Sequence, residues 1–159
     1  MPGFDYHKLN VAFGAIVKRF GLTMLELNTS GDRPPLPFVA FDVISPYIDI
    51  GFQGDNDANA FEAVISLTVY SKSKTDALNT ASQIRSSLNA ESIVDELTKQ
   101  EIIVVDRMPT AIRYNQGINS ITAMVGFDVR LRLKATPEDA FGSIDQVKLG
   151  GNTIGISKD

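Results

Sequence analysis

The chain contains no cysteine and only one histidine, and this composition excludes several kinds of functional site. Without cysteine there is no disulfide framework, no thiolate metal site and no cysteine nucleophile. The lone histidine, His7, would have to serve any serine triad by itself, and no Gly-x-Ser-x-Gly motif accompanies it. We therefore predict no catalytic residue, no metal ligand and no cofactor-binding residue, and we do not expect an enzyme.

Long apolar runs and excess positive charge are also missing. No stretch of about 18 apolar residues occurs, and the N-terminus lacks the basic and apolar pattern of a secretion signal, so we expect no membrane partner and synthesis in the cytoplasm. Lys and Arg number 15 against 19 Asp and Glu, a formal net charge of -4. Because sequence-independent DNA binding needs clustered cations, we expect none.

The hydrophobic content of the chain is sufficient for one hydrophobic core. The 159 residues are 43% hydrophobic, which suits a single domain of ordinary size. Apolar residues three and four apart over residues 6–20 predict an amphipathic helix that ends near Gly21. Ser73, with Asp76 three residues later, resembles a capping box and predicts a second helix, and a short helical turn is expected around residues 93–97.

Four stretches have the composition or alternation of strands. Residues 38–50 are rich in β-branched and aromatic residues, with Pro46 favouring an edge or a bend over a central strand. Residues 61–69 alternate between apolar and polar, and residues 121–133 do so over a greater length. The continuous β-branched run at residues 102–105 predicts a more central strand.

The order helix, strand, strand, helix, strand, strand predicts an α+β fold. In this fold a four-stranded antiparallel sheet has helices packed on its one apolar face. We expect residues 1–136 to form this core domain and residues 137–159 to form a turn and a β-hairpin arm.

The arm is predicted from its glycines. A two-residue turn at Gly151 and Asn152 would make a hairpin. The four aliphatic positions that then share one face are paired as Leu149 with Ile154 and Val147 with Ile156. Because an isolated two-stranded hairpin is marginally stable in water, we expect the arm to lie on its own domain or to dock on another subunit.

The loop of residues 51–59 is acidic. Asp55, Asp57 and Asn59 match the first half of a calcium-binding loop. The second half of the calcium-binding pattern is not matched. Ala60 occupies the position that requires glycine, and Ser66 occupies the position that requires a bidentate glutamate. We interpret the loop as a solvated segment or as one that faces a partner.

The last predicted strand carries a mostly cationic row. Asp128, Arg130, Arg132 and Lys134 alternate with its apolar residues. No aromatic residue lies among them for base stacking, which does not favour nucleic-acid binding. The row is typical either of a solvated sheet face or of a subunit contact.

Three stretches occur in a characteristic order. A proline-led segment, PPLPFVAF, opens the first strand at residues 34–41. The segment LTVYSKS, residues 67–73, ends a strand on an aromatic residue and continues into a helix at residues 75–77. Arg and Tyr at residues 113–114 precede an alternating strand, FDVRL, at residues 127–131. In this combination most of the chain resembles the tail terminator or neck proteins of long-tailed bacteriophages.

The resemblance implies a structural virion protein of the tail or neck, assembled in the host cytoplasm. In that family, α+β subunits form a homo-oligomeric ring, a hexamer, which caps the completed tail tube and stops its polymerisation. The implied partners are the tail tube protein and a head-tail connector or stopper protein, with DNA passing through the lumen without specific binding. The net acidic charge suits such a channel, because carboxylates repel phosphate.

A ring closed by a heterologous interface needs a complementary patch on each side of the subunit. We expect strand edges, the loop of residues 51–59 and the arm of residues 143–157 to supply these contacts. The interface residues predicted in these regions are Phe52, Asp55, Asp57, Arg130, Arg132, Val147, Leu149, Ile154 and Ile156.

Two alternatives stay open at this point. Another neck component, such as a head-completion or tail-completion protein, would show the same patterns. A small-molecule-binding or regulatory α+β domain is also compatible, since fold does not settle function. Such a domain would be a monomer or dimer whose melting depends on its ligand.

Overall fold

The computed structural model describes residues 3–51, 59–113 and 122–135, together with the backbone of residues 146–149 and 152–155. The elements in chain order are α1 His7–Lys18, β1 Thr23–Glu26, β2 Phe38–Asp49, β3 Ala60–Ser71, α2 Lys74–Ser87, α3 Glu91–Lys99, β4 Ile103–Arg107, β5 Ala111–Arg113, β6 Ala123–Lys134, β7 Gln146–Leu149 and β8 Asn152–Gly155. Within these ranges no helix has the length and apolar character needed to cross a bilayer.

The main sheet is mixed and has six strands. Its order is β1-β2-β3-β6-β4, and β5 also pairs with β6. The pairs are antiparallel except β1 with β2, which are parallel. The α+β class is confirmed, but the prediction of four antiparallel strands was wrong. β1 and β5 were not predicted, because runs of four and three residues are too short to show an alternation.

The core lies between the three helices and one face of the sheet. Successive strand residues point to opposite faces, so the inward positions of β3 and β6 are the alternating apolar ones. The buried cluster joins residues from every helix to these positions, among them Phe13, Ile84, Ile93, Phe61 and Phe127. The expected packing of helices on one face of the sheet therefore holds for the described residues.

The end of the first helix at Gly21 and the start of the second helix at Ser73 were predicted, and both are confirmed. Gly21 has φ 72°, a left-handed conformation that suits glycine, and its N–H donates to the carbonyl of Lys18. The Ser73 hydroxyl accepts a hydrogen bond from the Asp76 N–H and so caps α2. The helical turn expected around residues 93–97 is helix α3.

Pro46 lies in an irregular half of β2. The pairing of β2 with β3 shifts register between Val43 and Ser45 and again between Ser45 and Ile48. β1 pairs only with residues 38–41, so Pro46 interrupts no pairing between β1 and β2. The expectation of a bend or an edge at this proline is confirmed.

The prediction of a central strand at residues 102–105 was wrong. β4 lies at the edge of the sheet and pairs only with β6. Its pairing shifts register between Val104 and Asp106, and 52% of Ile103 and 43% of Val105 are exposed. A run of β-branched residues is typical of a strand buried on both faces, but here Ile103 and Val105 face solvent, while Ile102 is buried and Val104 packs against the core.

β7 and β8 form the predicted hairpin in a different register. Val147 pairs with Ile154 and Leu149 with Asn152, so residues 150 and 151 alone separate the paired strands. The expected partners of Val147 and Leu149 were therefore wrong. The sequence has glycine at both intervening positions, which lie outside the described residues. Ile156 lies outside the described residues.

Candidate functional site

The sheet face opposite the helices is polar and carries most of the charged contacts of the described residues. On β3 this face presents Glu62, Ser66 and Thr68, which are only 5%, 8% and 5% exposed. Buried polar groups need hydrogen-bond partners, since an unpaired one costs the full desolvation penalty. Arginine side chains from the neighbouring strands provide these partners.

Two arginines hold the Glu62 carboxylate. Arg132 lies directly opposite Glu62 across the β3–β6 ladder and donates from Nη2 to Oε2 at 2.9 Å, and Arg130 Nη1 lies 3.4 Å from Oε1. The carboxylate side chain is 6% exposed, whereas those of Arg130 and Arg132 are 42% and 50% exposed. Their guanidinium groups therefore cover the carboxylate and still reach the surface of the protein.

Arg113 joins three strands on the same face. Its Nη1 donates to the Ser66 hydroxyl at 2.5 Å and to the Thr68 hydroxyl at 2.6 Å, and its Nη2 donates to Asp128 at 2.7 Å. The Arg113 side chain extends from β5 over Gly126. A Cβ atom at Gly126 would lie 2.9 Å from the Arg113 Cζ. Gly126 thus provides the space that the guanidinium occupies.

This charge arrangement does not resemble an active site or a phosphate-binding site. Two carboxylates, Glu62 and Asp128, neutralise much of the charge of three guanidiniums. In the described part of the chain no group of three or more acidic or histidine residues is placed to hold a metal ion. Three members of the predicted cationic row, Asp128, Arg130 and Arg132, therefore take part in intramolecular ion pairs, and the two arginines remain exposed at their ends.

Aromatic residues cluster where α1 meets the irregular half of β2. Tyr47 stacks on Phe61 at 4.5 Å between centroids, and the Tyr6 hydroxyl donates to the Pro46 carbonyl at 2.7 Å. Burial, and next the nearby Tyr47 hydroxyl, raise the pKa of Tyr6 above its ordinary value of 10.0. This phenol keeps its proton at neutral pH and acts as a structural donor.

A second aromatic pair borders an open cavity. Phe38 and Tyr70 lie opposite each other on β2 and β3 and stack at 4.7 Å. They line a cavity of about 450 Å³ together with Arg33 and Lys72.

The edge of the sheet along β4 and β5, here called the β4–β5 edge, is the most apolar exposed part of the described sheet. Ile103, Val105 and Ile112 lie on it and are 52%, 43% and 38% exposed. They are three of the seven large hydrophobic residues that are exposed among the described residues. This surface was not predicted, because the β-branched run at residues 102–105 is typical of a central strand.

The predicted interface residues fall in three places. Arg130 and Arg132 lie on the sheet face opposite the helices, here called the helix-free face, where both form ion pairs with Glu62. Positions 147, 149 and 154 lie on the hairpin strands, for which the backbone alone is described. Those outside the described residues are Phe52, Asp55, Asp57 and Ile156. The contribution of these residues to an interface stays a prediction.

Comparison with known proteins gives one informative match. A protein family described as "Phage neck terminator protein" matches residues 8–157. No curated protein matches the chain. A solved structure whose name gives no function is similar over 86% of this chain and 100% of its own, with 15% sequence identity and a TM-score of 0.45. A likeness at that level carries no argument.

Proposed function

Because the chain belongs to the family of phage neck terminator proteins, a structural component of the phage tail and neck, we propose that it forms a ring that caps the tail tube. In this proposal the ring is a hexamer that stops tube polymerisation and presents its other side to a head-tail connector or stopper protein. The observation that carries the proposal is the family match, which spans residues 8–157 and so includes both the sheet domain and the hairpin.

The geometry of the sheet supports a role for this chain in assembly with other subunits. A ring requires two different, complementary patches on each subunit. The described residues offer an apolar strand edge at β4 and β5 and a separate two-stranded hairpin. On the helix-free face, Glu62 and Asp128 are paired with three arginines, so these charged groups serve the sheet itself.

The charge of the chain supports DNA passage through the ring. The formal net charge of -4 disfavours retention of a polyanion. The arginines of the helix-free face are partly neutralised by Glu62 and Asp128, so they do not form a free cationic track. DNA would pass through the lumen without specific binding.

Electron microscopy of tails from phage that lack this protein tests the proposal. We expect tubes of uncontrolled length, because nothing stops addition of tube subunits, and restoration of normal length when the wild-type chain is supplied. Tubes of normal length that stay unattached to heads would contradict the terminator role and would identify a connector or completion protein instead.

A further inference from the structure

The β4–β5 edge is an open sheet edge that carries apolar side chains. An edge strand presents unpaired N–H and C=O groups along its outer side, and proteins usually protect such edges with charge, proline or a covering element. In this chain the edge carries Asp106 and Arg107, but Ile103, Val105 and Ile112 are exposed beside them. Among the described residues no further strand pairs with the outer side of β4. The edge is therefore suited to accept another strand.

The hairpin is a two-stranded sheet that is separate from the six-stranded sheet. β7 and β8 pair with each other and with neither edge of the six-stranded sheet. By strand alternation, the observed register places positions 147, 149, 152 and 154 on one side of the ladder, and the sequence has Val, Leu, Asn and Ile there. Two strands alone are marginally stable in water, so a third strand would stabilise them.

The dimensions of the two elements match. β7 and β8 have four residues each, and β4 has five. The hairpin follows β6 after the eleven residues 135–145, which span at most about 40 Å when fully extended. This connection begins close to the β4–β5 edge of its own chain, because Arg132 near the end of β6 pairs with Ile103. The hairpin nevertheless adds no strand to that edge within one chain.

We propose that the β7–β8 hairpin of one copy adds to the β4 strand of the next copy and continues its six-stranded sheet. The hairpin and the edge are different surfaces of the same subunit, so this contact is heterologous and can propagate around a closed ring. Main-chain hydrogen bonds would supply affinity, and the aliphatic residues of both elements would supply specificity. The inference deepens the proposed ring and names its subunit contact.

Disulfide trapping tests this contact cleanly because the chain has no cysteine of its own. Two differently tagged chains are mixed, one carrying V105C on the edge and the other V147C on the hairpin, and are then oxidised. Neither chain can form an internal disulfide, so a product that carries both tags reports a contact between copies. A set that also includes I103C and I154C covers neighbouring registers.

The matched control is V11C, because Val11 is an exposed aliphatic residue on α1, 55% exposed and outside the sheet. We expect the edge and hairpin pair to cross-link at least about tenfold faster than V11C with V147C, because a bound hairpin raises the local thiol concentration. The reaction is measured in solution across a concentration series and in particles that carry both variants.

Two results would overturn the inference. One is equal cross-linking at positions 105 and 11, or none in solution and in particles. The other is a disulfide that forms only when V105C and V147C are in the same chain, which would place the hairpin on its own edge. Either result leaves the terminator role intact if tails without the protein are overlong, so the two proposals can fail separately.

Discussion

At Gly126 the sheet has no room for a side chain. A Cβ atom there would lie 2.6 Å from the Leu67 carbonyl oxygen, 2.7 Å from the Thr68 hydroxyl and 2.9 Å from Arg113 Cζ. These distances are shorter than normal contacts, and one of them is to backbone. Glycine at this position therefore allows Arg113 to lie flat on the sheet and to bind Ser66, Thr68 and Asp128.

We predict that G126A lowers the free energy of unfolding by about 1–3 kcal/mol, because overpacking forces the strand or Arg113 to move. G14A is the matched control, since a Cβ at Gly14 would lie 3.7 Å from Met24 Cε, an ordinary contact. In helix α1 that alanine should stabilise by about 0.5–1 kcal/mol. Urea denaturation of both variants measures the difference, and equal stability of the two would contradict this account of Gly126.

Tyr6 gives a prediction that depends on pH. Its hydroxyl donates to the Pro46 carbonyl, and its pKa is raised above 10.0 in the folded protein by burial and by Tyr47. Because the folded state holds this proton more tightly than the unfolded state, the stabilisation is complete below pH 10 and is lost as the pH rises through the higher folded pKa.

We therefore expect Y6F to be less stable than the wild type by about 1 kcal/mol at neutral pH, because it loses one hydrogen bond. The difference should shrink above pH 10, where the wild type alone loses stability through this group. Denaturation midpoints of the two proteins over pH 7–11 measure this. A difference that stays constant above pH 10 would show that the Tyr6 proton does not contribute.

At the scale of the element, the helix-free face of the sheet depends on ion pairs between neighbouring strands. Glu62 of β3 is buried under Arg130 and Arg132 of β6, whose ends remain exposed. A carboxylate in this position is tolerated because both cations lie within reach of it. The two arginines thus serve the sheet itself, whether or not they also contact a partner.

We predict that the double variant R130M and R132M is destabilised by about 2 kcal/mol, because Glu62 loses both partners while the methionines keep much of the apolar packing. Adding E62Q to this variant should recover most of the loss, since the amide carries no charge. Chemical denaturation of the double and triple variants provides the comparison. Failure of E62Q to restore stability would mean that packing, not charge, explains the loss.

At the scale of the whole molecule, the chain combines a packed domain with a hairpin that forms its own small sheet. The core cluster draws on all three helices and on β2, β3 and β6. Stability and assembly should therefore depend on different parts of the chain.

Deletion of residues 143–159 tests this division. We expect the shortened chain to fold, because its described core is intact, and to assemble more weakly than the full chain, because it lacks the hairpin. Circular dichroism and thermal melting report folding, and light scattering reports assembly. Loss of folding in the shortened chain would argue against an arm that acts between subunits.

Local patterns predicted much of the fold. The alternation of β3 and β6, the cap at Ser73 and the left-handed Gly21 each follow from a few neighbouring residues, and the structure confirms them. The short strands β1 and β5 and the position of β4 could not be predicted in this way. A strand's place in a sheet depends on partners distant in sequence, which periodicity does not identify.

The functional surfaces also combine features that local sequence predicts with features that depend on distant contacts. The sequence by itself determined that the chain has one helix-covered sheet, a paucity of catalytic groups, a terminal hairpin and a resemblance to phage neck proteins, because composition, spacing and glycine placement are local properties. Only the tertiary structure decided that Arg130 and Arg132 share Glu62 and that Ile103 and Val105 lie on an open edge. Ion pairing and exposure arise from contacts between segments that only folding brings together.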